Sequence, residues 1–372
     1  MSETNDQEYG IAAITASEAI PAPELPYQPP RPRRYQPAIG LIGCGGITSY
    51  HLAEYKKMGL RVTALCDLAE ERARKRRDEY YPEAAVYTGY RELLRRDEIE
   101  VVDIATHPAE RVAIIREALQ AGKHVLSQKP FVLDLDAGRE LADLADRAGR
   151  RLAVNQNGRW APHFSYIRHA IQAGCIGEPL SITQTVHWDH SWIKGTEFEK
   201  IKHVILYDFA IHWFDIVSCF MGGRTARRVF ASVTRGAGQK VQPPLLAHAA
   251  ADFEGAQATW SFNAASGFGP LDQTLIVGTK GSLHSTGKDL TAQQVTLFTT
   301  AGHAQAKLEG TWFENGFQGT MGELLAAIEE NREPAHSARN NLTSLALCFA
   351  AVASAETGVP QVPGEARRMA EG

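Results

Sequence analysis

The sequence predicts an α/β protein in two parts: a doubly wound parallel sheet, then an α+β domain with a large, mostly antiparallel sheet. Three observations predict it. From Ala38 onward, short apolar runs alternate with helical runs, the pattern of parallel strands joined by right-handed helical crossovers. The segment "IGLIGCGGITSYH" places Gly43, Gly45 and Gly46 between the first strand and the first helix. After about Asn157 the period shortens to strict apolar–polar alternation with glycine-rich turns, as in antiparallel strands with one covered face.

Residues 1–36 carry no sustained periodicity, and prolines cluster from Pro21 to Pro37, favouring extended chain. The segment reads either as a free tail or as an ordered arm. The arm is the reading adopted, with the stretch around Pro21 to Arg34 lying on a neighbouring subunit of a homodimer or homotetramer. Residues 37–158 then supply five strands: "AIGLI", "RVTALC" ending at Asp67, "VVDIA", "KHVLS" and "RLAVN". Helical runs separate them, such as "AERVAIIREALQAG" with Gly122 as its stop. Residues 159–372 form the second domain. Its strands are "PLSITQTVHW", "RRVFASVTR", "AHAAADFEGAQATWSFN", "QTLIVGTKGSLHST" and "QQVTLFT", and two helical runs close it, "TMGELLAAIEENR" and "NNLTSLALCFAAVASAETG".

A length of 372 residues with 44% hydrophobic content suits two globular domains. A net charge of −4 with scattered Lys and Arg argues against a nucleic-acid or membrane-surface partner. The five cysteines, Cys44, Cys66, Cys175, Cys219 and Cys348, are odd in number and widely spaced. That suits buried free thiols in a reducing compartment. No apolar run is long enough to span a bilayer, and "MSETNDQEYG" lacks a signal-peptide pattern. A twin-arginine reading of "RPRRYQPAIGLIG" is set aside, because its apolar part is the first strand. The expected location is cytoplasmic.

The glycine turn points to a dinucleotide. Glycines allow the backbone to approach a pyrophosphate, and the following helix N-terminus offers free N–H groups. Thr48 stands where a third glycine is usual, but Asp67 ends the next strand about twenty residues on. A carboxylate there can bond the adenosine ribose hydroxyls and repel a 2′-phosphate. NAD is therefore preferred, with Arg72 and Arg74 leaving NADP as the alternative.

The stretch "VILYDFAIHWFDIV" (204–217) reads as one helix that is apolar almost all round. Asp208, His212 and Asp215 interrupt it at i, i+4 and i+7, in one stripe. A buried charge costs several kcal/mol unless paired, so the stripe is expected to face a cleft. Lys129 follows the fourth strand, at the sheet edge where ligands bind in doubly wound folds. "HWDHSW" (187–192) sets Asp and His beside indoles, a surface suited to a polyhydroxylated ring. His187, Asp189, His190 and His203 are also metal-ligand types, but no standard ligand spacing joins them, and no metal is expected.

These motifs resemble the glucose–fructose oxidoreductase and inositol dehydrogenase family (Gfo/Idh/MocA). "GCGGIT" with His51 looks like its cofactor turn, and "DIATHP" followed by "ALQAGKHVLSQKP" is similar to its next signature. "NGRWAPHF" and "AGCIGEP" resemble its domain-crossing helix, "VGTKGSL" one of its hairpins, and "YDFAIHWFD" its Asp-x-x-x-His-x-x-Asp helix. The resemblance implies a Rossmann domain and a nicotinamide cofactor. It places the cofactor against Gly43, Gly45, Gly46, Ile47, Thr48, Asp67, Thr106, His107, Pro108, Gln128, Lys129 and Asn157. Substrate is expected at Lys129, Arg159, Trp188, Asp189, Trp192, Asp208 and His212. Three departures stand out: Gln128 replaces the usual Glu before Lys129, Arg111 stands where many members have His, and "KIKHVILY" replaces a glycine-rich run.

The expected chemistry is oxidation of a secondary alcohol on a sugar, cyclitol or related polyol. His212 is read as general base, Lys129 as the group polarising the same oxygen, and Asp208 as holding a substrate hydroxyl; the reverse proton assignment stays open. Asp215 is read as structural. Two other classes use the same residues: a hydrolase or lyase working through transient sugar oxidation with held NAD, and a non-catalytic nucleotide-binding regulator.

Overall fold

The computed structural model describes residues 18–289, 291 and 293–369. The first domain alternates β1 (Ala38–Ile42), α1 (Thr48–Lys57), β2 (Arg61–Cys66), α2 (Glu70–Tyr80), β3 (Ala85–Tyr87), α3 (Tyr90–Leu94), β4 (Ile99–Ile104), α4 (Pro108–Gln120), β5 (His124–Ser127), α5 (Leu135–Arg147) and β6 (Leu152–Val154). The strands are parallel in the order β3-β2-β1-β4-β5-β6, so the order reverses at β1 and opens a crevice above its carboxyl end. The apolar runs become strands because both faces are covered. All five residues of β1 and all four of β5 are buried. The sequence reading recovers every strand except β3. That edge strand has three half-buried residues, too few to carry a period.

Helix α6 (Pro162–Gln172) crosses to the second domain. There β7 (Pro179–His187) is followed by α7 (Ile211–Phe220), then β8 (Arg228–Thr234), β9 (Leu246–Phe253), β10 (Ala256–Asn263), β11 (Leu271–Gly278), β12 (Gly281–Gly287), β13 (Gln293–Thr299) and β14 (Gly302–Ala306). The eight strands lie in the order β14-β13-β12-β11-β7-β10-β9-β8. Every pairing is antiparallel except β7 with β10. Trp260, Phe262 and Ile182 point inward and pack with Trp213 and Phe214 of α7 in one core. On the outer face Phe230 and Val277 are exposed.

The chain ends with α8 (Trp312–Glu329) and α9 (Ala338–Thr357). Met321, Leu324 and Leu325 of α8 share a core with Ile39 and Leu41 of β1 and Leu52 and Tyr55 of α1. A helix from the second half of the sequence thus covers one face of the parallel sheet and ties the two sheets together.

One expectation needs correction. The stretch 204–217 is not one helix: Ile205–Phe209 form a π-turn before α7, with Ala210 N donating to Ile205 O at 2.7 Å. The wider turn moves Asp208 out of line with the α-helical stripe, and such turns recur at functional sites. The arm is not a free tail, because residues 18–36 pack on their own chain; residues 1–17 lie outside the described residues. Ile20 N donates to His303 O and His303 N to Glu18 O, both at 2.8 Å, along β14. Tyr166 Oη donates to Pro23 O at 3.1 Å, and Asn315 Nδ2 to Gln28 Oε1 at 3.0 Å. Pro30 passes so close to α8 that a Cβ at Gly322 would lie 2.1 Å from its carbonyl oxygen. Glu329 then accepts three successive backbone N–H groups, from Arg33 (2.6 Å), Arg34 (2.7 Å) and Tyr35 (3.1 Å). Proline-stiffened chain has little entropy to lose on docking, and an edge strand with unpaired backbone is at hand.

This docking predicts that Glu329→Ala loosens the arm. Limited trypsin digestion should cleave after Arg33 and Arg34 several-fold faster than in the wild type, with the circular dichroism of the fold retained. Equal cleavage rates would show that the carboxylate does not hold the arm.

Candidate active site

The glycine turn is shaped for a close approach. Gly43 has φ 92°, a conformation that favours glycine, and a Cβ there would lie 2.8 Å from the Ala105 backbone. Above Gly45 and Gly46 a Cβ would meet nothing within 4 Å, leaving room for phosphate oxygens at the start of α1. Thr48 closes the turn internally, its Oγ1 donating to Gly45 O at 2.7 Å; Ile47 immediately precedes the helix. Asp67 braces the same turn by accepting from Cys44 N (2.8 Å) and Ala69 N (2.9 Å). Its oxygens keep lone pairs for ribose hydroxyls. At the end of β4, Thr106 Oγ1 is buried without a partner, and His107 and Pro108 begin α4. Free donors, open space and an orphaned hydroxyl fit a dinucleotide along this edge.

Behind the turn lies a buried network. His51 Nδ1 is 2.7 Å from Asp103 Oδ2, which also accepts from Tyr55 Oη at 2.8 Å. His51 Nε2 meets Gln128 Nε2 (3.2 Å) and Asn155 Nδ2 (3.3 Å). The Gln128 amide has one sensible orientation, because its Oε1 accepts from Lys129 N at 2.7 Å. Its NH₂ therefore donates to His51, whose proton must sit on Nδ1 facing Asp103. A carboxylate at position 128 could not donate this bond, so the Gln-for-Glu departure has a local reason. His51 and Tyr55, one turn apart on α1, and an acid within the apolar "VVDIA" were the available signals for this network.

Lys129 stands at the carboxyl end of β5. Its Nζ donates to Asp208 O at 2.9 Å and to Asp208 Oδ1 at 3.1 Å; both side chains are partly exposed. The π-turn makes this contact available, because it frees a carbonyl that a regular helix would engage. The residues on either side of Lys129 are held by Arg111, whose guanidinium donates to Gln128 O, Pro130 O and Thr106 O. Arg111 is buried, which pushes it down to about 10. It is a positioning residue that the sequence marks only as a departure.

His212 lies one turn after Asp208, edge-on to Trp312 with ring centroids 5.7 Å apart. Its Nδ1 is buried without a partner. Burial, reinforced by the charge of Lys129, holds the imidazole well below its ordinary pKa. Asp215, one turn further, is fully buried and paired with Arg159, Nε to Oδ2 and Nη2 to Oδ1 both at 2.6 Å. Arg159 is therefore not a substrate ligand in this structure: its remaining nitrogen donates to Ala335 O at 2.6 Å. Asn157 is likewise engaged, its Oδ1 accepting from Trp312 Nε1 at 3.0 Å.

The "HWDHSW" segment forms an aromatic cluster instead of a cavity wall. Trp188 packs edge-on to Phe209 at 5.3 Å, and Trp192 to Phe198 at 5.5 Å. Asp189 caps a turn by accepting from Ser191 N at 2.9 Å. His203 pairs with Glu356 at 3.2 Å. Among the described residues, no three His, Cys, Asp or Glu side chains are arranged to hold a metal ion.

One cavity of about 760 Å³ lies along the carboxyl edge of the parallel sheet. Ile47, Thr106, His107, Pro108 and Gln128 line its cofactor side, and Lys129 and Asp208 its middle. Trp188, Asp189, Trp192, Asn157, Arg159 and His212 do not line it in this conformation.

Residues 38–156 match the profile described as "Oxidoreductase family, NAD-binding Rossmann fold", and residues 164–284 match the GFO/IDH/MocA C-terminal domain. The chain belongs to the Gfo/Idh/MocA family. It is an oxidoreductase whose first domain is the family's NAD-binding domain. It is similar to D-apiose dehydrogenase of Paraburkholderia graminis, 27% identical over 330 residues, 86% of this chain and 87% of that one. It is also similar to inositol 2-dehydrogenase/D-chiro-inositol 3-dehydrogenase of Lactiplantibacillus plantarum, 31% identical over 181 residues, 48% of this chain and 50% of that one. The fold matches an Agrobacterium radiobacter oxidoreductase solved with NAD+, L-tartaric acid and magnesium, with a TM-score of 0.80 at 22% identity, covering 89% of this chain and 99% of that one.

The role of Arg111 leads to a stability prediction. Arg111→Met leaves three buried carbonyls without their donor, at about 1 kcal/mol or more each. Urea denaturation should show a loss of ~3 kcal/mol; an unchanged midpoint would mean that the clamp contributes nothing.

Proposed function

We propose that this protein oxidises a secondary alcohol of a sugar, cyclitol or related polyol with NAD. The observation that carries this reading is the Lys129–Asp208 pair, held in a cleft at the carboxyl edge of the parallel sheet one turn before a neutral, buried histidine. The sugar and polyol dehydrogenases among its relatives support it. NAD, when bound, supplies the hydride acceptor at the nicotinamide C4.

The protein's own residues handle the proton and the charge. His212 is neutral because burial and Lys129 both disfavour the imidazolium, so a ring nitrogen can accept the hydroxyl proton as general base. The Lys129 ammonium donates to the same oxygen and stabilises its developing negative charge. Asp208 keeps the ammonium aimed into the cleft and has a free lone pair for a neighbouring hydroxyl. Asp67 favours NAD over NADP. Arg74, which could counter a 2′-phosphate, is engaged by Glu70 at 2.5 Å.

Two predictions follow from these roles. Lys129→Met and His212→Asn should each lower kcat roughly 10²-fold or more, with NADH affinity little changed. The acid limb of kcat/KM in the wild type should lie well below pH 6.5, since activity is lost only as falling pH protonates a histidine whose pKa is depressed. In Lys129→Met one of the two depressing causes is gone, so the His212 ring should titrate at higher pH by NMR. A wild-type limb at or above 6.5, or an unmoved titration, would contradict the assignment.

The second prediction concerns the cofactor. Calorimetric titration should give tighter binding of NADH than NADPH, and Asp67→Ala should narrow the gap; tighter NADPH binding by the wild type would refute the reading of Asp67.

A further inference from the structure

The cavity extends well past the reacting centre, and its far lobe is built differently from the rest. Phe349, Val352 and Ala353 of α9 face it at i, i+3 and i+4, one side of the helix. Leu133, Ala366 and Met369 close the opposite side, held together by Met369 N donating to Leu133 O at 2.9 Å. None of these residues belongs to the glycine turn or to the sheet edge that fits the dinucleotide. Lys129 and Asp208 line the same cavity.

Charged side chains line the cavity as well, among them Glu356 and Arg368, but a free polyol would gain nothing from the six apolar residues. Each hydroxyl placed against these leucine, valine, phenylalanine and methionine side chains would give up water without gaining a partner. A flat apolar group would instead bury its surface on both sides. The Tyr207 ring, beside Phe349, adds an aromatic surface to the lining.

We infer that the substrate is a glycoside, with its sugar ring at Lys129, Asp208 and His212 and an aryl or similarly apolar aglycone in the lobe lined by Phe349, Val352, Ala353 and Met369. This rests on the reading of the protein as a sugar oxidoreductase. It narrows the substrate class from free polyols to sugars already conjugated to an apolar ring.

The test uses the full-length protein loaded with NADH and matched methyl and phenyl glycosides of glucose, galactose and xylose in both anomers. Calorimetry should find at least one pair in which the phenyl member binds roughly 10- to 100-fold more tightly, the range expected for burying an aromatic ring. Ala353→Trp and Ala366→Trp, each checked for retained NADH binding, should collapse that ratio by filling the lobe from opposite sides. Equal affinities across all pairs, no binding of any pair, or an undiminished ratio in both filled variants would overturn the inference. NADH formation from the same compounds with NAD reads the underlying activity separately. Turnover without a phenyl advantage would remove the aglycone lobe alone. A phenyl advantage without turnover would remove sugar oxidation and leave the lobe as a binding site.

Discussion

The geometry of the site depends on one buried ion pair. Arg159 leaves the domain-crossing segment and meets Asp215 of α7 through two 2.6 Å bonds, with Ser344 Oγ adding a third at 2.8 Å. Burial alone would lower the arginine's pKa, and the facing carboxylate raises it instead. Such a pair is a poor source of net stability, because desolvating two charges offsets most of their attraction. Its value is positional. It fixes the rotation of α7 relative to the parallel sheet, and with it the approach of Asp208 and His212 to Lys129. The Ala335 carbonyl on the same guanidinium extends the lock to the segment before α9.

The chemistry around Lys129 is arranged to keep charge where it is needed. Gln128, His51 and Asn155 form a hydrogen-bonded chain behind the lysine, ending on Asp103. The carboxylate that Lys129 sees directly is Asp208, across the cleft, and not a neighbour in its own loop. Arg111 brings a second cation close, but its hydrogen bonds go to carbonyls and its role is to hold backbone. The imidazole of His212 thus sits in a field that opposes protonation, which suits the role proposed for it.

Much of this was legible in the sequence, and the failures share a cause. Five of the six parallel strands and the glycine turn show as local patterns, because burial on two faces leaves continuous apolar runs. Lys129 stands out in the sequence through its strand end and motif, and the polar positions of α7 through their spacing in an apolar background. The pairing of Arg159 is not legible, because its partner lies 56 residues away and a lone arginine in a loop does not reveal what it pairs with. The π-turn adds a residue to one helical turn without any compositional mark. The docking surface of the arm is not legible, because extended, proline-rich chain has no period and what it docks on is set by the tertiary fold. The far lobe joins residues from α9, the stretch after Phe131 and the stretch near Met369, which become neighbours only on folding.

The docked segments have a consequence for the protein's behaviour in a crowded solution. A sheet of eight strands ends in two rows of unpaired backbone groups, each able to recruit a strand from another molecule. Here neither row is left bare at its centre. His303 on β14 is bridged by the arm through Glu18 and Ile20. At the other extreme Val229 of β8 exchanges both its backbone bonds with Gln361, at 2.7 and 2.8 Å. The residues before the first domain and those after the last helix thus act as paired guards against strand-to-strand growth, and an irregular arm of little apolar content serves the solubility of a domain far from it in sequence.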